Sequence, residues 1–209
     1  MTTLAHERRS VSRVRIVDDL ASVVSIFEEH CNAVVLARHP DLALRESAAR
    51  FARRGSAHSV FRHDLADIAP NSIARELEVS ATEALAADLA LWCEVVGDLT
   101  ACEAVGVRLA CTGHAMCPRF HVDRVLLRVV CTYSGPGTEL VDGPGVPLDW
   151  RPGADESAVD AQHVVRALPM QVVLLKGEAW AGNEGAGVLH RSPAVPPGER
   201  RLVLTIDAL

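Results

Sequence analysis

The sequence has no excess of basic residues. Its 209 residues include 21 Lys and Arg against 27 Asp and Glu, which gives a formal net charge of -6. A surface that binds nucleic acid needs a basic excess to neutralise phosphates. We therefore expect no nucleic-acid partner, and a small molecule or a protein as substrate.

The sequence also lacks a long apolar run. Residues 1–19 carry charges throughout, without the apolar core of a signal peptide, and no uncharged stretch is long enough to span a bilayer. We therefore expect a cytoplasmic protein with no membrane partner. Because 49% of its residues are hydrophobic, a chain of this length can bury a full core as one domain, residues 1–209. The pattern leaves the oligomeric state open.

The six cysteines lack the paired CxxC spacing of common metal and redox motifs. A chain of this size does not need disulfides to fold, so we expect reduced thiols. One cluster keeps a zinc site open: Cys111 and Cys117 are separated by five residues, with His114 between them and His121 after them. This spacing fits no common zinc motif, so zinc is the alternative rather than the main prediction.

The two halves of the chain have different patterns. Residues 1–104 are mainly helical: Pro40 and Asp41 open one helix that Gly55 ends, and residues 72–96 show the spacing of one or two amphipathic helices. Residues 32–38 form a short apolar run of strand length, and a short strand is possible at residues 59–61. From residue 105 the pattern changes to short apolar strands separated by Gly/Pro turns, at residues 107–111, 125–133, 172–175 and 201–206. This order predicts an α+β protein whose β-rich part is a sandwich or barrel.

Residues 118–125 contain the candidate site. In an extended strand His121 and Asp123 project from the same face, side by side. One histidine and one carboxylate are two of the three ligands of the facial triad that holds non-haem Fe(II), and a distant histidine would complete it. His190, at the end of a strand-like run, is our candidate. The same spacing recurs at His39 and Asp41, where a helix start explains it.

Two arginines precede or begin the last predicted strand. Arg201 shares a face with Val203 and Thr205, whereas Arg200 faces the other way. An arginine buried beside a metal needs an anionic partner, and the carboxylate of a keto acid has the matching bidentate geometry. Arg200 suits an exposed position if the face with Val203 and Thr205 lines a cavity.

The order His121-x-Asp123, His190, Arg201 over successive β-strands resembles the double-stranded β-helix of the Fe(II)/2-oxoglutarate-dependent oxygenases, over roughly residues 105–209. The resemblance implies a jelly-roll, cupin-like core with the N-terminal helices packed outside it. It also implies a hydroxylase-type dioxygenase, an oxidoreductase.

Site residues follow from the same resemblance. His121, Asp123 and His190 would bind Fe(II), and Arg201 would bind the distal carboxylate of 2-oxoglutarate. Arg200 and Tyr133 are further candidates for contact with this cosubstrate.

The whole chain also resembles an uncharacterised bacterial family of unknown function, most closely in residues 116–124, 131–139 and 175–185. No activity comes with that resemblance. Because the fold also hosts metal-binding relatives without oxygenase activity, a zinc-binding accessory or sensor protein is the alternative function. Lys176, before Gly177 in the strand preceding the distal histidine, departs from the oxygenase pattern and would alter the pocket if it lay near the metal.

Overall fold

A computed structural model describes residues 12–53, 58–77, 83–147 and 150–209. Within these ranges the chain forms ten β-strands and three α-helices. The strands are β1 (Val14–Val17), β2 (Ala33–Leu36), β3 (His58–Asp64), β4 (Ala104–Thr112), β5 (Leu127–Ser134), β6 (Glu139–Val141), β7 (Val164–Arg166), β8 (Val172–Lys176), β9 (His190–Arg191) and β10 (Arg201–Ala208). The helices are α1 (Leu42–Ala52), α2 (Pro70–Leu77) and α3 (Glu83–Thr100).

The strands form two sheets that pack face to face. The major sheet has the order β1-β2-β8-β5-β10-β4-β3, and the minor sheet has the order β7-β6-β9. One apolar cluster contains side chains of both sheets, among them Val130, Val173 and Val203 from the major sheet and Leu140 from the minor one. All strand pairs are antiparallel except β1 with β2, which is parallel. A sandwich of two mainly antiparallel sheets is the arrangement of a jelly roll.

The helices cover the opposite face of the major sheet. Helix α3 buries Leu89, Trp92 and Val96 in a core that also contains Val129 and Leu204 of strands β5 and β10. The helices therefore lie outside a β-rich core, as predicted. None of the described helices is long and apolar enough to cross a membrane.

The first helix begins where the sequence indicates. The Asp41 side chain caps α1 by accepting a hydrogen bond of 2.8 Å from the Leu44 N–H. An aspartate at this position satisfies a backbone donor that the helix itself leaves unpaired. The second His-x-Asp pattern is thus a helix cap, as predicted. Gly55, where we expected this helix to stop, lies outside the described residues.

The strand predictions in the second half agree with β4, β5, β8 and β10. The first half also contains β1, β2 and β3, which extend the major sheet at both edges. The apolar run at residues 32–38 and the pattern at residues 59–61 indicate β2 and β3, whereas β1 was not expected. Residues 118–125 also differ from prediction. They form no regular strand, and a single bridge between His121 and His190 is their only β pairing among the described residues.

Candidate metal centre

His121 and His190 lie directly opposite each other. The His121 N–H donates to the His190 carbonyl at 3.1 Å, and the His190 N–H donates to the His121 carbonyl at 2.9 Å. Residues that exchange both backbone bonds project their side chains to the same side of the pair. The two imidazole rings are accordingly adjacent, with centroids 4.4 Å apart.

Asp123 completes the group, two residues after His121. Its Oδ1 is 3.8 Å from His121 Nε2, and its Oδ2 is 3.1 Å from His190 Nε2. One potential ligand atom from each of the three residues lies within 4.8 Å of the others. Asp123 and His190 are buried, whereas the His121 side chain is 30% exposed. Two side chains of the group are therefore buried, and the third is partly open to solvent.

Hydrogen bonds fix the tautomer of both rings. His121 Nδ1 is 2.9 Å from the Arg119 carbonyl, and His190 Nδ1 is 3.0 Å from the Val188 carbonyl. Since a carbonyl can only accept, each Nδ1 carries a hydrogen and donates it. In a neutral ring the lone pair then lies on Nε2, the atom that faces Asp123. This is the arrangement of metal-binding histidines, whose remote N–H is held by a carbonyl or carboxylate.

Asp123 Oδ2 is a buried carboxylate oxygen with no hydrogen-bond donor among the described residues, although it lies 3.1 Å from His190 Nε2. The two groups form an ion pair only if His190 is protonated on both ring nitrogens. Burial and the neighbouring His190 lower the pKa of His121, which favours its neutral form. Burial alone would raise the pKa of Asp123, but its histidine and arginine neighbours outweigh it and hold that pKa below its usual range. A carboxylate beside two imidazole lone pairs fits a divalent cation.

Arg128 holds the other oxygen of the carboxylate. Its Nη1 donates to Asp123 Oδ1 at 2.7 Å, while its Nε and Nη2 make a bidentate pair with Asp207 at 2.6 and 2.7 Å. Asp207 thus balances the charge of Arg128, and Arg128 orients Asp123 so that Oδ2 faces His190. No local sequence pattern indicates this role of Arg128, because it depends on the register that places Arg128 opposite Asp207.

Arg201 is 1% exposed and has only neutral partners among the described residues. Its Nε donates to the Pro136 carbonyl at 2.8 Å, and its Nη atoms donate to the hydroxyls of Ser192, Thr132 and Thr138 at 3.0 to 3.1 Å. Burial without a carboxylate lowers its pKa to about 10. A buried guanidinium of this kind is stabilised by an anionic ligand.

A cavity of about 290 Å³ connects these groups. His121, His190 and Arg201 line it, together with Val203 and Thr205 of the face predicted from strand parity. The structure therefore brings two of the proposed metal ligands, His121 and His190, and the proposed carboxylate-binding arginine to one cavity, with Asp123 beside the two histidines.

Arg200 and Tyr133 do not line this cavity. Arg200 is exposed in the turn before β10. Tyr133 is buried on the helix-covered face, where its hydroxyl donates to Asp88 Oδ2 at 2.7 Å. The side chains of Thr132 and Arg201 instead lie on the cavity side, since neighbouring residues of a strand alternate between faces. Arg200 and Tyr133 therefore both lie apart from the cavity that Arg201 lines.

The described residues offer no fourth protein ligand for a structural zinc site at this group. Cys117 is exposed and lines the cavity, but it is not part of the ligand group formed by the described residues. Cys111 lies on the helix-covered face, with its thiol 3.6 Å from the Ala52 carbonyl. The Lys176 side chain does not point to the metal ligands, since its Nζ donates to the Glu28 carbonyl at 3.1 Å. Three protein ligands leave coordination positions open, unlike a structural zinc site.

Solved structures show which fold this is. The rice dioxygenase for auxin oxidation matches all of this chain and 76% of its own, at 15% identity and a TM-score of 0.51. The Arabidopsis thaliana dioxygenase for auxin oxidation 1, in complex with 2-oxoglutarate, matches 94% of this chain and 91% of its own, at 14% identity and a TM-score of 0.52. A full-length Neurospora crassa protein, in complex with alpha-KG and 5-formyluracil, matches 90% and 77%, at 11% identity and a TM-score of 0.53.

The protein thus has the double-stranded β-helix fold of the Fe(II)/2-oxoglutarate-dependent oxygenases, and the likeness extends well beyond residues 105–209. The chain belongs to the family described as protein of unknown function (DUF1826), whose model matches residues 17–207. This agrees with the resemblance to an uncharacterised family. No curated protein matches the sequence significantly.

Proposed function

We propose that this protein is an Fe(II)- and 2-oxoglutarate-dependent oxygenase. The observation that carries the proposal is the buried Asp123 Oδ2, which has no hydrogen-bond donor among the described residues and forms a close pair with His190 Nε2, 3.1 Å away. Such a pair is stabilised by a cation placed between it and the adjacent His121 Nε2. Arg201, which lines the same cavity, supplies the cationic group that would bind the distal carboxylate of 2-oxoglutarate.

Fe(II) held by His121, Asp123 and His190 would supply the oxidation, in which 2-oxoglutarate loses CO₂ and the two atoms of O₂ enter succinate and the hydroxyl of the product. The chain itself binds and orients the reactants. Arg201 offers its guanidinium to the distal carboxylate, and the hydroxyls of Thr132 and Thr138 hold that guanidinium in place. Arg128 keeps the metal-facing oxygen of Asp123 in position.

Asp123→Ala is expected to abolish Fe(II)-dependent conversion of 2-oxoglutarate to succinate. The variant removes the only carboxylate of the ligand group and leaves the cation with two neutral imidazoles. Succinate formed by substrate-independent turnover is measured chromatographically in air-saturated buffer that contains ascorbate as the reductant, with and without Fe(II). We expect the wild-type protein to form succinate only with Fe(II), and the variant to lose at least about 100-fold in rate.

Asp18→Ala is the matched control, because Asp18 is an exposed aspartate outside the cavity. It should retain the wild-type rate. Equal rates in Asp123→Ala and the wild-type protein would contradict the proposal. So would tight retention of zinc by the wild-type protein with a thiolate ligand, which would move the protein to the metal-binding accessory class.

A further inference from the structure

The cavity continues past the metal centre onto strands β3 and β4. Arg108 of β4 lies opposite Thr205 of β10 on one side and Val60 of β3 on the other. Side chains that are directly opposite in neighbouring strands project from the same face of the sheet. Arg108 therefore lies on the face that also carries Arg201, and both line the cavity.

Four arginines line this cavity, and they differ in their partners. Arg128 is neutralised by Asp123 and Asp207. Arg191 is neutralised by two glutamates, Glu139 and Glu156. In the described part of the chain, Arg108 and Arg201 have no carboxylate within ion-pair distance. The cavity thus presents two uncompensated cations, a buried one at one end and an exposed one at the other.

Large apolar side chains flank Arg108. Val60 is 56% exposed, and Leu209 is 61% exposed. A Cβ added to Gly106 would lie 3.6 Å from Leu209 Cδ1, so the Leu209 side chain covers this glycine on the cavity face. Gly106 is two residues from Arg108 and therefore on the same face of the strand. A cation with exposed apolar neighbours can bind an organic anion by its charge and by its hydrocarbon part at once.

We infer that the primary substrate is a small carboxylic acid with an apolar body, whose carboxylate binds Arg108. The inference rests on the proposed function, in which 2-oxoglutarate occupies Arg201. Strand β10 separates β4 from β5, so Arg108 and the metal-orienting Arg128 lie on strands roughly 10 Å apart. An acid anchored at Arg108 would extend across β10 and direct its distal carbon towards Arg128 and the metal centre. The planar guanidinium matches one carboxylate in bidentate geometry.

The test uses hexanoate, 3-phenylpropanoate and 4-phenylbutanoate, each beside its carboxamide, with phenyl phosphate as a further anion. Binding is measured by calorimetry to Fe(II)-loaded protein under nitrogen, with saturating 2-oxoglutarate to occupy Arg201. We expect at least one acid to bind about tenfold more tightly than its carboxamide. Arg108→Gln should remove that preference, whereas Arg75→Gln, which removes an exposed arginine of helix α2 outside the cavity, should keep it.

Two outcomes overturn the inference. In one, no acid is preferred over its amide although 2-oxoglutarate binds and depends on Arg201; the proposed function then stands without this substrate class. In the other, phenyl phosphate alone shows the dependence on Arg108. If 2-oxoglutarate itself does not bind, the proposed function fails instead. The acids are then tested on the Arg201→Met protein in the absence of 2-oxoglutarate. A preference for acid over carboxamide that is lost in Arg108→Gln supports the Arg108 site, and no such preference overturns the inference.

Discussion

Arg201→Met is expected to weaken 2-oxoglutarate binding by at least about 100-fold, equivalent to roughly 2.7 kcal/mol. Removing one partner of a buried, hydrogen-bonded charge pair costs about 2 to 5 kcal/mol. The guanidinium is 1% exposed and has no carboxylate partner among the described residues, so an anionic ligand would be its counterion. Calorimetric titration of the Fe(II)-loaded protein under nitrogen measures the change.

Arg200→Met is the matched control for this prediction. Arg200 is the adjacent arginine, but it is exposed and does not line the cavity. Its loss should leave the affinity within about twofold of the wild-type value. Equal losses in the two variants would show that the general charge of this segment, and not the buried guanidinium, attracts the ligand.

Gly177→Ala is expected to disrupt the segment that carries Asp123. A Cβ on Gly177 would lie 1.9 Å from the carbonyl oxygen of Val125, so the backbone that follows Asp123 must move away from the end of β8. This movement also stretches the hydrogen bond of 2.9 Å that the Glu178 N–H donates to the Asp123 carbonyl. We expect the free energy of unfolding to fall by about 3 kcal/mol, and Fe(II) affinity to fall about 10- to 100-fold.

Gly113→Ala provides the comparison, since a Cβ there would meet only the Glu199 carbonyl, at an ordinary 3.8 Å. It should change the free energy of unfolding by less than about 0.5 kcal/mol. Denaturant unfolding and anaerobic Fe(II) titration measure the two quantities. Full metal affinity in Gly177→Ala would mean that the position of Asp123 does not depend on this close approach.

Strand parity is enough to separate Arg201 from Arg200. In an extended strand only one of two adjacent residues can face the cavity, and the apolar residues Leu202, Leu204 and Ile206 assign the other face to the core. The same rule, applied to strand β5, places Tyr133 away from the cavity. Residue type alone suggests a contact with the cosubstrate, but Tyr133 instead binds Asp88 beneath helix α3.

Other features depend on pairing between distant segments, which no local pattern encodes. The spacing of His121 and Asp123 indicates a metal site, but their segment is held by one bridge to His190 rather than by a strand. Arg128 reaches Asp123 because β5 pairs with β10 in the register that sets it opposite Asp207. Such registers are fixed by the whole core.

The central claim is that His121, Asp123 and His190 hold Fe(II) with 2-oxoglutarate at the same site. The most direct measurement is anaerobic titration of the metal-free protein with Fe(II) and then 2-oxoglutarate, observed through the weak visible charge-transfer band of the chelate. We predict a band that is lost in His190→Ala and retained in His39→Ala, which removes the histidine of the other His-x-Asp pattern. A band that persists in His190→Ala, or no band in the wild-type protein, would contradict the claim.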